Sequence, residues 1–350
     1  QAFGAGATMV VAPPGIYGGE DLAQLLAEHA VTHAFVTTAA LASVDPAGLE
    51  QLSEVVFGGE ACPPDLVARW APGRRLYNAY GPTEATIMSN VSPPMTAGEP
   101  ITIGGPVRGV SELVLDTRLQ AVPVGVPGEL YLAGPGVARG YHRRAGLTAE
   151  RFVANPADPG TRMYRTGDIV RWTADMCVEY VGRSDFQVKV RGFRVELGEI
   201  DSVLMSEPNV GFAVTVADSA PTGDTRLVSY VVPTAGRLDT RILSRAVARR
   251  LPSHMVPAVL TVLENIPLTA VGKVDRSALP RPEIETTTGD FRPPVGPVEQ
   301  AVSDVFGEVL GLERVGTDIS FFELGGNSLS ATSVAARLRA VLGATVGVRD

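Results

Sequence analysis

Short β-branched runs, turns and amphipathic stretches alternate along residues 1–184. Ala7–Pro13 predicts a strand. In Gly19–Ala30, Leu22, Leu25 and Leu26 fall on one face, which predicts a helix. Val31–Thr37 and Glu54–Gly58 predict further strands, and a strand-rich stretch follows at Glu112–Leu115, Gly128–Ala133, Asp168–Trp172 and Cys177–Val181. Between 186 and 280 the pattern is smaller but again mixed. It predicts strands at Gln187–Val190, Phe212–Val216 and Leu227–Val232, and helices near Glu199–Met205 and Arg241–Leu251. Pro280–Pro297 reads as a linker, with five prolines around a Thr-Thr-Thr-Gly run. Beyond it, Val298, Val302, Val305, Phe306, Val309 and Leu310 recur at helical spacing and stop at Gly311, a candidate C-terminal cap. A second helix is predicted from about Ser328 through Val334, Leu338 and Leu342.

The 350 residues suffice for two or three domains, and at 45% hydrophobic and 19% charged they can bury a sizeable core. Abundant glycine (38) and proline (27) fit a turn-rich α/β protein. The net charge of -8, without a Lys/Arg run, argues against nucleic acid or an anionic membrane as partner. Two cysteines, Cys62 and Cys177, are too few for a disulfide framework, so a reducing cytoplasm is the simplest expectation. A first residue other than Met, inside a packed-looking segment, suggests a fragment.

Chemistry concentrates at Asn78-Ala79-Tyr80-Gly81-Pro82-Thr83-Glu84. Gly-Pro turns the chain sharply, so flanking side chains can converge. A ring can face a purine, an amide can read base edges, a hydroxyl can bond a phosphate and a carboxylate can hold Mg²⁺. A polar loop after a strand would explain any three of these residues, but the seven together are more specific. The segment resembles the nucleotide-binding signature of nonribosomal peptide synthetase adenylation domains, within the acyl-CoA ligase and luciferase superfamily. The resemblance implies that Tyr80 stacks on adenine, Asn78 bonds its edge, Thr83 meets the α-phosphate and Glu84 helps hold Mg²⁺, with Ala79 and Gly81 part of the same site.

Other motifs follow in the family's order. Gly128–Tyr141 resembles its glycine-rich structural motif. Alone, the Gly-x-Gly-x-x-x-Gly spacing could pass for a dinucleotide fingerprint, but no acidic ribose partner follows a second strand. Tyr164–Asp168 resembles the ribose-binding motif, where the Asp168 carboxylate can accept two hydrogen bonds from a diol. Gly182–Ile200 resembles the opening of the small lid. There Arg183 belongs with the nucleotide site, Asp185 stands at the hinge, and Lys189 and Gly192 lie in the segment lining the passage for the carrier's pantetheine arm. Pro267–Arg276 holds the catalytic candidate Lys273, which the resemblance implies bridges the amino-acid carboxylate and the α-phosphate; Val271 stands where the family usually has Asn. Leu251–Pro257 resembles the preceding lid motif, with His254 at a usual Tyr, read as packing. His29 and His33 have the i, i+4 spacing of a zinc pair but lack an evident third ligand. Asp318–Leu329 resembles a peptidyl carrier's attachment site for 4'-phosphopantetheine, with Ser328 the modified residue at a helix start; taken alone it could be an ordinary N-cap.

The implied fold is mixed α/β: a partial adenylate-forming core at 1–184 and a small α+β lid at 185–280. A linker at 281–297 then leads to part of an all-α four-helix carrier domain at 298–350. The implied enzyme is an ATP- and Mg²⁺-dependent ligase. It adenylates an amino acid and loads it as a thioester on the carrier, with a phosphopantetheinyl transferase and neighbouring domains such as condensation as partners. The family's phosphate loop and amino-group-binding acid are expected upstream of Gln1, so the fragment itself is expected to be incompetent. Family offsets put the side-chain pocket at Phe35, Val56, Gly58, Ala79, Ile87 and Met88. None is charged. Burying an aliphatic side chain there gains roughly 1.5–3 kcal/mol, whereas desolvating a polar one costs on the order of 1–3 kcal/mol. A Leu-, Val- or Phe-like substrate is expected. An inert carrier or docking module and a stand-alone acyl-CoA ligase are the rival readings.

Overall fold

The computed structural model describes the chain apart from residues 1, 14, 17, 191, 220–224, 235, 237, 270–273, 282–291, 313, 318–320, 322, 323, 325, 327, 345 and 348–350. Two compact units result, one of Leu26–Phe186 and one of Gln1–Leu25 with Gln187–Asp350. Helix α1 (Gly19–Glu28) buries Leu22 and Leu26 and leaves Leu25 half-buried.

In the unit of Leu26–Phe186, a five-stranded sheet runs in the order β1 (His33–Thr37), β2 (Glu54–Gly58), β3 (Arg75–Tyr80), β4 (Asn90–Val91), β5 (Gly105–Pro106). The first three strands are parallel, with α2 (Thr38–Ala42) and α3 (Pro64–Trp70) in the crossovers. Val55 and Phe57 are fully buried while Val56 between them is half-buried, the period-2 alternation of a strand with two unlike faces. A second, antiparallel sheet is ordered β10 (Val178–Arg183), β9 (Arg162–Trp172), β7 (Gly128–Ala133), β6 (Ser111–Leu115). Strand β8 (Phe152–Ala154), which follows α4 (Ala145–Arg151), also pairs with β9. Tyr80, Ala85, Ile103, Val114, Leu130, Leu132, Val170 and Val178 form one core cluster of this unit.

In the other unit, Gln187 onward forms first the hairpin β11 (Val188–Val190)–β12 (Phe193–Val195). Next come α5 (Leu197–Met205), the antiparallel pair β13 (Val210–Ser219) and β14 (Thr225–Pro233), α6 (Thr240–Arg250), and β15 (Val259–Val262), which lies parallel to β14. Ile200 and Leu204 of α5, Leu243 and Val247 of α6, and Ala213, Leu227 and Val231 of the sheet share one core. Further along, α7 (Gly296–Leu310) ends on Gly311 in the left-handed conformation, as its C-cap role requires. Val305 of α7 packs with Val334 and Leu338 of α8 (Ser328–Leu342).

The mixed α/β class and the helical C-terminal segment agree with the sequence pattern. The Ala7–Pro13 strand does not form. Its residues pair with no strand, and Met9 and Val11 are exposed at 52% and 72%. A β-branched run alone does not make a strand, because its backbone groups need a partner edge.

Candidate functional site

The Asn78–Glu84 signature is carried by a strand end and a turn. Asn78, Ala79 and Tyr80 finish β3, and Thr83–Ala85 form one 3-10 turn. Strands β9 and β10 set Asp168 and Arg183 opposite each other in register. The Arg183 guanidinium bonds the Asp168 carboxylate at 2.5 Å and the Thr166 carbonyl at 3.1 Å, and it grips both oxygens of Asp185 at 2.7 and 2.9 Å. Arg151 reaches Asp185 at 3.4 Å. The Tyr80 hydroxyl donates to the other oxygen of Asp168. Burial, then the Asp168 charge, raises the Tyr80 phenol well above its ordinary value, so it stays a donor. For Arg183 burial works against the charge, but Asp185 and Asp168 more than offset it and its pKa is raised. Asp168, Arg183 and Asp185 thus form one charged chain from a buried sheet position to the end of the unit.

A carboxylate has about four lone-pair sites; Asp168 accepts from Tyr80 on one oxygen and from Arg183 on the other, and the Tyr180 phenol also lies within its reach. The capacity left over is what a ribose hydroxyl could use. Two other side chains are more committed internally than the sequence suggests. The Asn78 amide donates to the Thr102 carbonyl at 3.0 Å. The Tyr80 ring is only 8% exposed, so adenine stacking would have to use the small part left uncovered.

Thr83 is exposed and Glu84 half-buried at the turn. Glu84 is held twice: its carbonyl accepts from Ala138 N–H at 2.8 Å, and its carboxylate accepts from the Tyr141 hydroxyl at 2.6 Å. Among the described residues no group of three or more His, Cys, Asp or Glu could hold a metal, His29 and His33 included. A single carboxylate such as Glu84 fits Mg²⁺, which keeps waters and takes its remaining ligands from phosphate oxygens.

The pocket candidates divide. Phe35 is in register with Val56, and Gly58 with Ala79. Alternation along the strands puts all four on one face of the parallel sheet, with Tyr77 beside Val56. Phe35 is 61% exposed on that face. A Cβ on Gly58 would collide with the Ala79 carbonyl oxygen, so the close strand approach there requires glycine. Ile87 is exposed and Met88 half-buried beyond the turn.

In the other unit, Lys189 of β11 pairs in register with Arg194, and Gly192 lies in the hairpin turn at φ 79°. Phe193 stacks on His254 at 4.1 Å, which is packing. Ser328 begins α8; its side chain and all of Lys273 lie outside the described residues. The sequence reading gave no role to Tyr141, Arg151 or Tyr77. Tyr141 lay in plain view inside the glycine-rich motif, but its contact with Glu84 spans 57 residues and leaves no local signal.

Comparison with known proteins places the chain's segments in known families. The AMP-binding enzyme family matches residues 1–142, its C-terminal domain residues 199–273, and the phosphopantetheine attachment site residues 300–350. A probable non-canonical nonribosomal peptide synthetase, CymA, of Salinispora arenicola is 48% identical over 99% of this chain. The isonitrile lipopeptide synthase of Mycobacterium tuberculosis is 49% identical over 98%, and novobiocin biosynthesis protein H of Streptomyces niveus 43% over 96%. The chain spans 4%, 14% and 56% of those three proteins respectively. Among solved structures, holo-PA1221, an NRPS protein containing adenylation and PCP domains bound to a vinylsulfonamide inhibitor, superposes with TM-score 0.74. It is 29% identical, over 93% of this chain and 55% of that one. An artificially fused adenylation–PCP di-domain from Klebsiella oxytoca gives 0.64 at 28% identity, over 73% and 52%. The chain therefore belongs to the nonribosomal peptide synthetase family, joining AMP-binding adenylation segments to a phosphopantetheine attachment domain.

Proposed function

We propose that this chain is the part of an amino-acid-activating synthetase that finishes the adenylation site and carries the thioester acceptor. The observation that carries the reading is the Tyr80–Asp168–Arg183 cluster beside the Thr83–Glu84 turn, in a chain that also bears a phosphopantetheine attachment domain. In the first half-reaction a carboxylate oxygen of the amino acid attacks the α-phosphorus of ATP. The bond to the β-phosphate oxygen breaks and pyrophosphate leaves. Asp168 accepts from the ribose hydroxyls, Thr83 donates to the α-phosphate, and Lys273 offsets the charge that builds there. Glu84 would hold Mg²⁺, which would neutralise phosphate charge there. For the second half-reaction Ser328 would carry the pantetheine arm, which would supply the thiol that takes the acyl group as AMP leaves. A phosphopantetheinyl transferase installs the arm. The hinge at Asp185 lets one lid, with Lys189 and Gly192, serve both steps.

The apolar sheet face of Phe35, Val56, Gly58 and Ala79, with Ile87 and Met88 nearby, supports a Leu-, Val- or Phe-like substrate. Amino-acid-dependent pyrophosphate exchange by the parent synthetase is the test. Exchange should respond to apolar amino acids. A clear preference for Asp, Glu, Lys or Arg would refute the pocket, and no exchange with any amino acid would refute the activity.

A further inference from the structure

The glycine-rich stretch Gly128–Tyr141 touches the signature turn at three points. Ala138 N–H donates to the Glu84 carbonyl at 2.8 Å, the Thr86 hydroxyl donates to the Gly136 carbonyl at 2.6 Å, and the Tyr141 hydroxyl donates to the Glu84 carboxylate at 2.6 Å. The segment it holds is unusual in its backbone: Thr86 and Ile87 have φ 62° and 65°. β-Branched residues rarely adopt that left-handed conformation, and it persists where surrounding contacts over-determine it.

Tyr141 is itself fixed from three sides. Its backbone N–H donates to the Thr148 hydroxyl of α4 at 2.9 Å. Its ring meets Phe152 of β8 edge-on, with centroids 5.4 Å apart, and Phe152 in turn packs on Tyr164 at 5.2 Å. Gly140 before it adopts φ 140°, and a Cβ there would strike the Thr148 methyl, so the approach of this turn to α4 needs a glycine. A hydrogen bond from a neutral, rigidly held phenol leaves the carboxylate its charge and fixes its direction.

We propose that Tyr141 is a positioning residue for the metal-nucleotide site: its hydroxyl locks Glu84 in the orientation that receives Mg²⁺. This rests on the reading of Glu84 as the Mg²⁺ ligand. It gives the glycine-rich motif a specific task, presenting one hydroxyl to one carboxylate, besides shaping the backbone.

The experiment measures the Mg²⁺ concentration that half-saturates binding of a non-hydrolysable ATP analogue to the parent synthetase. Tyr141→Phe keeps the ring against Phe152 and deletes only the hydroxyl. It should raise that concentration about tenfold, the scale of one charge-assisted hydrogen bond. The KM for Mg²⁺·ATP should rise likewise, while kcat changes far less. In a Glu84→Ala background the same substitution should add nothing, because the hydroxyl acts through Glu84. Independently, 3-fluorotyrosine at position 141 should give a ¹⁹F resonance that moves when Mg²⁺ and nucleotide bind and stays still in Glu84→Ala. An unchanged half-saturation in Tyr141→Phe, an equal effect in both backgrounds, or an unmoved resonance would overturn the proposal. If Glu84→Ala alone leaves the Mg²⁺ dependence intact, the assignment of Glu84 itself has failed.

Discussion

Among the described residues, Glu112 on β6 has no compensating charge, and both of its oxygens and Asn90 Nδ2 are buried without a hydrogen-bond partner. Asn90 is fully buried; it lies near enough to soften the effect on Glu112 but makes no well-formed bond to it. Burial pushes Glu112 up to about 7 from an ordinary 4.5. A raised carboxyl pKa means that the folded state holds a proton the unfolded state has released. Stability from this group is therefore present below 4.5 and lost as pH rises through about 7. Glu112→Gln removes the titration and should leave the protein about 1–3 kcal/mol more stable than the parent at pH 8, with little difference at pH 5. Urea midpoints at the two pH values check this. Parent and variant shifting in parallel would mean that Glu112 stays solvated. Nothing in the sequence hints at this residue, since an acidic position in an alternating strand reads as its solvent face.

At the scale of elements, the close packing of β2 on β3 is the feature most sensitive to a single atom. Gly58 lies in register with Ala79, and any Cβ there meets a backbone carbonyl that cannot rotate away. Gly58→Ala should cost about 1–3 kcal/mol or more in urea denaturation and weaken substrate binding on the same sheet face. An unchanged midpoint would show that the strands can part at no cost. Elements with strong periodicity were legible: α1, α5, α6, α7, β2 and β7 stand within a few residues of their expected places. Elements defined by partners were not. Ala7–Pro13 has the composition of a strand and no edge to pair with, whereas Asn90–Val91 is too short for any pattern and forms β4 by pairing with β3. Of the signature at 78–84, the first three residues belong to β3. Ladder bonds fix those residues, which is why Asn78 and Tyr80 turn inward.

For the whole molecule, motif order carried most of the reading. The nucleotide signature, the ribose motif, the lid opening and the carrier motif are each short, and each alone could be a polar turn. Their sequence along one chain is what pointed to an adenylation–carrier arrangement, and the three family matches follow that order at 1–142, 199–273 and 300–350. What the linear order could not give is cross-chain chemistry: Tyr80 on Asp168 spans 88 residues and Arg183 on Asp168 spans 15. Among the described residues no helix is long and apolar enough to cross a membrane.

On the proposed function, this chain's adenylation residues load this chain's own carrier serine. Intact-protein and peptide mass spectrometry of the parent synthetase tests it most directly, after incubation with coenzyme A, a phosphopantetheinyl transferase, ATP, Mg²⁺ and an apolar amino acid. Phosphopantetheine is expected on Ser328 with the aminoacyl group attached to it. Ser328→Ala should gain neither, and Lys273→Ala should gain the arm but no aminoacyl group. An arm on another serine in Ser328→Ala, or an arm on Ser328 that no amino acid ever loads, would contradict it.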